Sequence, residues 1–264
     1  MSDLIEQYTN ADEDLRLVRQ NITRLEFDTT LHLMEKYIQP GSVLTEVGAA
    51  TGRYSLHYAA QGNHVTAVEL APDQVEIISR KAREQQIDLR VCEGSAVDLS
   101  FIDSESQDIV LILGPLYHLQ ELSELQQAME EAFRVLKPGG IVAVAYISRH
   151  FVAGLFAQHF PELITPEVLN ELSAQGCVSH EKADRFFRVG YFCKPEEIEH
   201  LVTDNGFELL EHAATDGYGR YIRQSVNEFD EATYQNWLQY HFSTCREPSL
   251  LGSSNHGLVI ARKN

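Results

Sequence analysis

Patterned cysteines are the first feature that the sequence lacks. Its four cysteines are Cys92, Cys177, Cys193 and Cys245, and they form neither a C-x-x-C pair nor a Cys/His grouping at metal-ligand spacing. Unpatterned cysteines in a chain of 264 residues are typical of reduced, cytosolic thiols. Since no H-E-x-x-H motif is present either, the sequence predicts no metal site.

Basic charge and long apolar runs are also scarce. Lysine and arginine number 21 against 39 acidic residues, a formal charge of -18. Such a surface repels nucleic-acid phosphates and anionic lipid headgroups. No apolar stretch approaches the roughly 20 residues that a membrane span needs, and no leader pattern opens the chain. We therefore expect a cytoplasmic protein that binds neither nucleic acid nor membrane.

Strands and helices alternate along the first part of the chain. A predicted helix over residues 12–37 ends at Pro40-Gly41. The apolar runs that follow predict strands over residues 42–47, 64–70, 89–92, 108–113 and 141–147. Helical patterns over residues 53–60, from Pro72 onward and over 121–136 lie between them, and Lys137-Pro138-Gly139-Gly140 ends the last one. This alternation predicts an α/β fold with a doubly wound, mainly parallel sheet.

The alternation breaks after residue 148. Residues 150–188 are predicted to be helical and rich in aromatic side chains, which suggests a lid. Helices over 195–203 and 228–242 and strands over 207–213 and 257–261 complete the chain. We therefore predict one domain, residues 1–264, in four parts: a helical cap (1–41), a core (42–147), a helical lid insertion (148–194) and a C-terminal part of the sheet with a helical insertion (195–264).

The turn after the first predicted strand is the main functional signal. In an open α/β sheet, ligands bind outside the carboxyl ends of the strands. Gly48, Ala50 and Gly52 allow the backbone to approach a ligand closely. A dinucleotide site requires G-x-G-x-x-G, but Arg53 stands at the place of the third glycine. Glu46 lies two residues before Gly48, and its carboxylate suits an ammonium group rather than a pyrophosphate.

Two further segments support the same site. Glu69 ends the second predicted strand, about 20 residues beyond the turn, where a carboxylate can accept hydrogen bonds from two ribose hydroxyls. The same position serves NAD, so Glu69 does not discriminate between cofactors. The loop after the third strand would lie over an adenine, with Ser95 accepting from the adenine amine and the Ala96 N–H donating to a ring nitrogen.

Four segments in order resemble the class I S-adenosylmethionine-dependent methyltransferases, especially the small-molecule enzymes of quinone biosynthesis. The segments are EVGAATGRYS, VTAVEL, EGSAVDLSF with DIVLILGPLYHL, and RVLKPGGIVAVAYIS, and together they cover residues 42–147, under half of the chain. The resemblance implies a seven-stranded, mostly parallel Rossmann-like sheet whose last strand is antiparallel. It also implies S-adenosylmethionine as the cofactor and a small-molecule methyl acceptor.

The resemblance assigns a role to each matching position. The amino-acid end of the cofactor would lie against Glu46, Gly48, Ala49, Ala50 and Gly52, its ribose against Glu69 and Leu70, its adenine against Ser95 and Ala96, and its sulfonium against Leu113 and Gly114. Two positions depart from the family pattern. Ala50 replaces the central glycine of the turn, and Ser95 replaces an acidic residue that would accept from the adenine amine. Both changes would weaken cofactor binding.

The chemistry requires the acceptor to be held in line with the methyl group at about 3–3.5 Å. His118 follows the fourth strand and is a candidate general base, since its ordinary pKa lies near neutrality. The alternative is that His118 caps the next helix or packs beneath the loop. Tyr117, next to it, is a weaker catalytic candidate that packs near the cofactor. Two other functions stay open: a non-catalytic S-adenosylmethionine-binding regulator and, less well supported, an NAD-dependent oxidoreductase.

Overall fold

The computed structural model describes residues 17–179 and 190–264 of the chain. Seven strands form one sheet: β1 (Val43–Val47), β2 (His64–Glu69), β3 (Arg90–Glu93), β4 (Gln107–Ile112), β5 (Leu136–Ile147), β6 (Phe207–Ala214) and β7 (His256–Lys263). Their order across the sheet is β3-β2-β1-β4-β5-β7-β6. Strand β7 runs antiparallel to both β5 and β6, while β1 to β5 are parallel. The predicted seven-stranded sheet with an antiparallel last strand is confirmed.

Ten α-helices lie in the described ranges. They are α1 (Asn21–Met34), α2 (Arg53–Ala60), α3 (Pro72–Glu84), α4 (Leu122–Val135), α5 (Arg149–His159), α6 (Pro166–Gln175), α7 (Pro195–Asp204), α8 (Arg223–Asn227), α9 (Glu231–Thr244) and α10 (Pro248–Leu251). Short 3₁₀ turns cover Pro115–His118, Pro161–Leu163 and Gly219–Ile222. No helix in these ranges has the length and apolar character needed to cross a bilayer.

Side chains of β5 alternate between the two faces of the sheet, as the two-residue period of a strand requires. Val142, Val144 and Tyr146 join a core cluster with α4 and α7. Ala143 and Ala145 join the opposite cluster with α1 and α2. Because both faces are covered, β5 is apolar through most of its length, as a buried parallel strand should be.

Strand order reverses between β1 and β4. Glu46 of β1 pairs with Ala67 of β2 on one side and with Leu111 of β4 on the other. After β1 the chain continues to β2 on one side of β1, and it later returns to place β4 on the other side. The loops that follow β1 and β4 therefore lead away from each other at this point. An opening at the carboxyl edge of such a sheet is where ligands bind in doubly wound folds.

Two predicted element bounds were wrong. Residues 17–20 of the predicted first helix form a turn, so α1 begins at Asn21, while residues 12–16 lie outside the described residues. The segment Lys137-Pro138-Gly139-Gly140 belongs to β5, because Leu136 already pairs with Gln107 of β4. Turn-forming residues there extend an irregular strand rather than separating it from the helix.

Of the two long predicted helical segments, one is interrupted and the other begins three residues late. Residues 150–188 contain α5, a 3₁₀ turn at Pro161–Leu163 and α6, since prolines begin both later elements. The helix predicted over residues 228–242 begins at Glu231 instead, because the Asp230 carboxylate caps α9 there. Parts of the predicted cap and lid, residues 1–16 and 180–189, lie outside the described residues. The division of the chain into cap, core, lid and C-terminal part stays a prediction.

We expect Gly257→Ala to destabilise the fold by about 1–3 kcal/mol through overpacking. Gly257 pairs with Tyr146 across β5 and β7, and a Cβ atom at this position would overlap the Tyr146 ring. The free energy of unfolding in urea measures the loss. Gly252→Ala is the matched control, since a Cβ there would meet only the His150 ring at an ordinary 3.4 Å. Equal stabilities of the two variants would contradict the packing argument.

Candidate functional site

The glycine turn joins β1 to α2 at the carboxyl edge of the sheet. Its backbone is held to the neighbouring strand, because the Gly48 and Ala49 N–H groups donate to the Val68 carbonyl at 2.8 and 3.0 Å. Gly48 has a φ of 71°, and a Cβ there would overlap the side chain of Pro115. The turn therefore packs closely against the loop that follows β4, and only glycine fits at this position.

Ala50 adopts a φ of 46°, in the left-handed region that usually favours glycine. Its N–H donates to the Glu69 carboxylate at 2.7 Å, which fixes this conformation. The substitution of alanine for the central glycine of the family pattern thus costs backbone strain but keeps the turn closed. Gly52 follows as the residue that caps α2.

Glu46 lies beneath the turn and is only 2% exposed. One carboxylate oxygen accepts from the Ser55 backbone N–H at 2.7 Å and also from the Ser55 hydroxyl. Burial raises the pKa of Glu46 to about 8, although the two hydrogen bonds from Ser55 oppose this rise. A buried carboxyl group with a raised pKa favours a cationic partner, because an ammonium group would restore the charged form.

Glu69 ends β2 and is 9% exposed. Its carboxylate accepts three backbone hydrogen bonds, from Ala50 at 2.7 Å, Leu70 at 2.8 Å and Ala71 at 2.9 Å. Burial raises the pKa of Glu69, and these hydrogen bonds lower it in part. A carboxylate offers about four acceptor positions, so the three N–H groups fix its orientation and leave room for a ligand hydroxyl.

The loop after β3 lies beside Glu69, because the Gly94 N–H donates to the Glu69 carbonyl at 3.0 Å. A tight turn follows, in which the Asp98 N–H donates to the Ser95 carbonyl at 3.1 Å. Ser95 is half-buried, whereas the Ala96 side chain packs into the core at 5% exposure. The structure therefore places the predicted adenine loop next to the predicted ribose carboxylate.

Leu113 and Gly114 follow β4, directly across from the glycine turn. A Cβ atom on Gly114 would lie 3.9 Å from the Gly48 carbonyl oxygen and 3.2 Å from the Tyr117 hydroxyl. The Tyr117 hydroxyl itself lies 3.5 Å from the Leu113 carbonyl oxygen. Two of the sequence-predicted segments, at residues 48–52 and 113–114, are thus brought together, with Tyr117 beside them.

His118 lies on the 3₁₀ turn and is 8% exposed. Its ring packs against Tyr117 at 4.8 Å between centroids, in an edge-to-face arrangement. This burial matches the alternative in which His118 packs beneath the loop. Its role as a general base stays a prediction.

A buried ionic cluster at the same edge of the sheet was missed by sequence reasoning. It consists of Glu26, Asp216, Arg220 and His256, and we call it the edge cluster. Its members come from α1, the segment after β6, a 3₁₀ turn and β7. No motif spacing could have revealed it, because Glu26 lies far from the other members along the chain and only the fold joins them.

Comparison with known proteins identifies one family model, described as a methyltransferase domain, which matches residues 45–144. A demethylmenaquinone methyltransferase of Tropheryma whipplei is 33% identical over 45% of this chain and 48% of its own length. A ubiquinone biosynthesis O-methyltransferase of Coxiella burnetii is 25% identical over 76% of this chain and 80% of its own. The chain spans 38% to 48% of the length of the first curated relatives that it matches.

A solved structure with a similar fold is that of an S-adenosylmethionine-dependent methyltransferase from Methanosarcina mazei. It is 18% identical, covers 88% of this chain and 96% of its own, and superposes with a TM-score of 0.61. At this identity the likeness shows the fold alone. It confirms the arrangement of sheet and flanking helices that the sequence predicts.

The stability of the ligand-free protein should fall as pH rises from about 5 to about 8. The pKa of Glu46 is raised in the folded state, so the group stabilises the fold below its unfolded pKa and loses this contribution as pH rises through about 8. In Glu46→Gln the loss of unfolding free energy between the two pH values should be smaller by at least about 1 kcal/mol. The reason is that each unit by which the folded state raises the pKa of Glu46 corresponds to about 1.4 kcal/mol. Urea unfolding of both proteins at the two pH values measures the free energy of unfolding. The same fall in the wild type and in Glu46→Gln would contradict the raised pKa of Glu46.

Proposed function

We propose that this chain, whose residues 45–144 belong to the methyltransferase domain family, transfers a methyl group from S-adenosylmethionine to a small organic acceptor. The products would be the methylated acceptor and S-adenosylhomocysteine. The observation that carries the proposal is the buried Glu46 carboxyl group beneath a turn that only small residues can form. This combination suits the ammonium end of an amino acid and offers no match for a diphosphate.

The residues present fit this cofactor. Glu46 would accept a hydrogen bond from the methionine ammonium group, and its raised pKa means that it would lose a proton as it does so. Glu69 would take the ribose hydroxyls with its remaining acceptor capacity, beside Leu70. Ser95 and Ala96 would lie along the adenine, and Leu113 and Gly114 beneath the sulfonium. The cofactor supplies an electrophilic methyl group; the chain orients the acceptor toward it and excludes water.

The relatives support a small aromatic acceptor. Two of them are named for menaquinone and ubiquinone biosynthesis. The charge of -18 argues against nucleic acid as an acceptor. The four free cysteines agree with a reducing, cytoplasmic location. Whether oxygen, nitrogen, carbon or sulfur receives the methyl group depends on the acceptor pocket.

The oxidoreductase alternative fits less well. Arg53 occupies the place of the third glycine of a dinucleotide site, and its guanidinium lies 5.3 Å from the Phe27 ring of α1. That contact places a long side chain at the start of α2, where a dinucleotide fold packs its glycine closely against the strand. A non-catalytic regulator would use the same cofactor site. A measurement of turnover distinguishes it from an enzyme.

In isothermal titration calorimetry of the wild-type protein, S-adenosylhomocysteine should give a clear binding signal. NAD, titrated in the same way, should give none. Glu46→Gln should weaken the binding about 10-fold or more, since a charge-assisted hydrogen bond to the ammonium is lost. Glu105→Gln is the control, because Glu105 lies on the surface away from the turn. Binding of NAD in preference to S-adenosylhomocysteine would refute the proposal.

Turnover separates the enzyme from the regulator. With S-adenosylmethionine and a panel of catechols and naphthoquinols, the protein should form S-adenosylhomocysteine in amounts that exceed the protein concentration. Tight cofactor binding without turnover on this panel or on a cell metabolite extract would favour the regulatory alternative.

A further inference from the structure

Tyr58 of α2 carries a buried hydroxyl group that the folded chain leaves unsatisfied. The residue is only 4% exposed, and its hydroxyl has no hydrogen-bond partner within residues 17–179 and 190–264. Most buried polar groups in folded proteins are hydrogen-bonded, because a group that has lost its bonds to water and gained none in return destabilises the fold. An unpaired hydroxyl next to a binding site is therefore a candidate donor for a bond that forms only when a ligand is present.

The position of Tyr58 on α2 brings its ring to the face of the helix that meets Glu46. Ser55 donates two hydrogen bonds to Glu46, and Tyr58 follows Ser55 by three residues, so the two side chains share one face of the helix. Side chains of a helix lean toward its N-terminus, and the N-terminus of α2 lies at the glycine turn above Glu46. The Tyr58 ring packs in the same core cluster as Leu44 of β1, which lies on the same face of the sheet as Glu46.

Glu46 and the Tyr58 hydroxyl also interact through charge. Burial raises the pKa of Tyr58 above its ordinary value, and the charge of Glu46 raises it further. A tyrosine with a raised pKa keeps its proton throughout the neutral range. The hydroxyl is therefore available as a hydrogen-bond donor whenever Glu46 carries its negative charge.

The two carboxylate oxygens of Glu46 differ in their partners. Both hydrogen bonds from Ser55 go to Oε2, while Oε1 accepts none from the described residues. Since a carboxylate offers about four acceptor positions, Oε1 has room for a ligand ammonium group and for one further donor. The charge of Glu69 adds to the raised pKa of Glu46, so an ionised Glu46 lies near a second carboxylate and gains from every additional donor.

We propose that Tyr58 is a positioning residue for the amino-acid end of the cofactor, and that its hydroxyl donates to Oε1 of Glu46, directly or through one water, when the ammonium group is bound. The inference rests on the proposed methyltransferase function, which supplies that ammonium group. In the ligand-free protein at neutral pH, Glu46 is mainly a neutral carboxyl group. Ligand binding releases the carboxyl proton to solvent, and the new charge gives the Tyr58 hydroxyl an acceptor. The unfavourable burial of the hydroxyl in the free protein is thereby offset in the complex.

The first test is the stability of the ligand-free protein in urea at neutral pH. Tyr58→Phe keeps the ring and removes only the unpaired hydroxyl, so the midpoint of unfolding should stay the same or rise. Tyr37→Phe is the matched control: the Tyr37 hydroxyl donates to Glu211 of β6, so its removal should lower the midpoint. A fall in Tyr58→Phe as large as the fall in Tyr37→Phe would show that the Tyr58 hydroxyl already has a partner in the free protein, and would overturn the inference.

The second test is a double-mutant cycle on the binding of S-adenosylhomocysteine, measured by calorimetry. Tyr58→Phe should raise the Kd about 10-fold, because a hydrogen bond to a charged group is lost. Added to Glu46→Gln, the same substitution should raise the Kd by no more than about 2-fold, since the glutamine carries no charge for the hydroxyl to stabilise. Tyr37→Phe should bind S-adenosylhomocysteine as the wild type does.

The outcomes of the cycle separate the inference from the proposed function. Unchanged binding in Tyr58→Phe, or a loss of the same size in the wild-type and Glu46→Gln backgrounds, would overturn the inference, because the hydroxyl would then not act through Glu46. A wild-type protein that does not bind S-adenosylhomocysteine would instead refute the proposed function. The urea measurement would still decide in that case whether the Tyr58 hydroxyl is unpaired in the free protein.

Discussion

The buried carboxyl group of Glu46 is the constraint on which the rest of the site depends. It lies at 2% exposure at the point where strand order reverses, and it accepts hydrogen bonds from the backbone N–H and the hydroxyl of Ser55. Burial of an acidic group without a cation costs stability, so the ligand-free protein tolerates a group whose pKa is near 8. A ligand with an ammonium group removes that cost, and the fold thereby favours an amino-acid cofactor over a dinucleotide.

The other parts of the site are arranged around that carboxyl group by backbone contacts. Glu69 closes the glycine turn through the Ala50 N–H, and the loop after β3 is joined to Glu69 through the Gly94 N–H. Gly48 has no Cβ, so the loop after β4 can pack directly against the turn. The ends of β1, β2 and β4 thus lie together at one edge of the sheet, and β7 contributes His256 to the edge cluster at the same edge.

Sequence reasoning predicted the parts of this arrangement that depend on local chemistry. The period of the strands, the glycine turn and the acidic strand ends are all local, and the predicted resemblance to class I methyltransferases is confirmed by the family match over residues 45–144. Sequence reasoning failed where pairing between residues far apart in the chain determines the structure. Leu136 joins β5 through its pairing with Gln107, and Glu26 meets His256 only because α1 crosses the sheet near β7. His256 carries no local signal that separates it from ten other histidines.

The most direct test of the account follows the Glu46 carboxyl group itself by ¹³C NMR across a pH titration. The account predicts a pKa near 8 in the ligand-free protein and a fall to well below 7 when S-adenosylhomocysteine is bound, since the ammonium group then stabilises the carboxylate. Identical titrations in the free and bound protein would mean that the ammonium group binds elsewhere and would contradict the central claim.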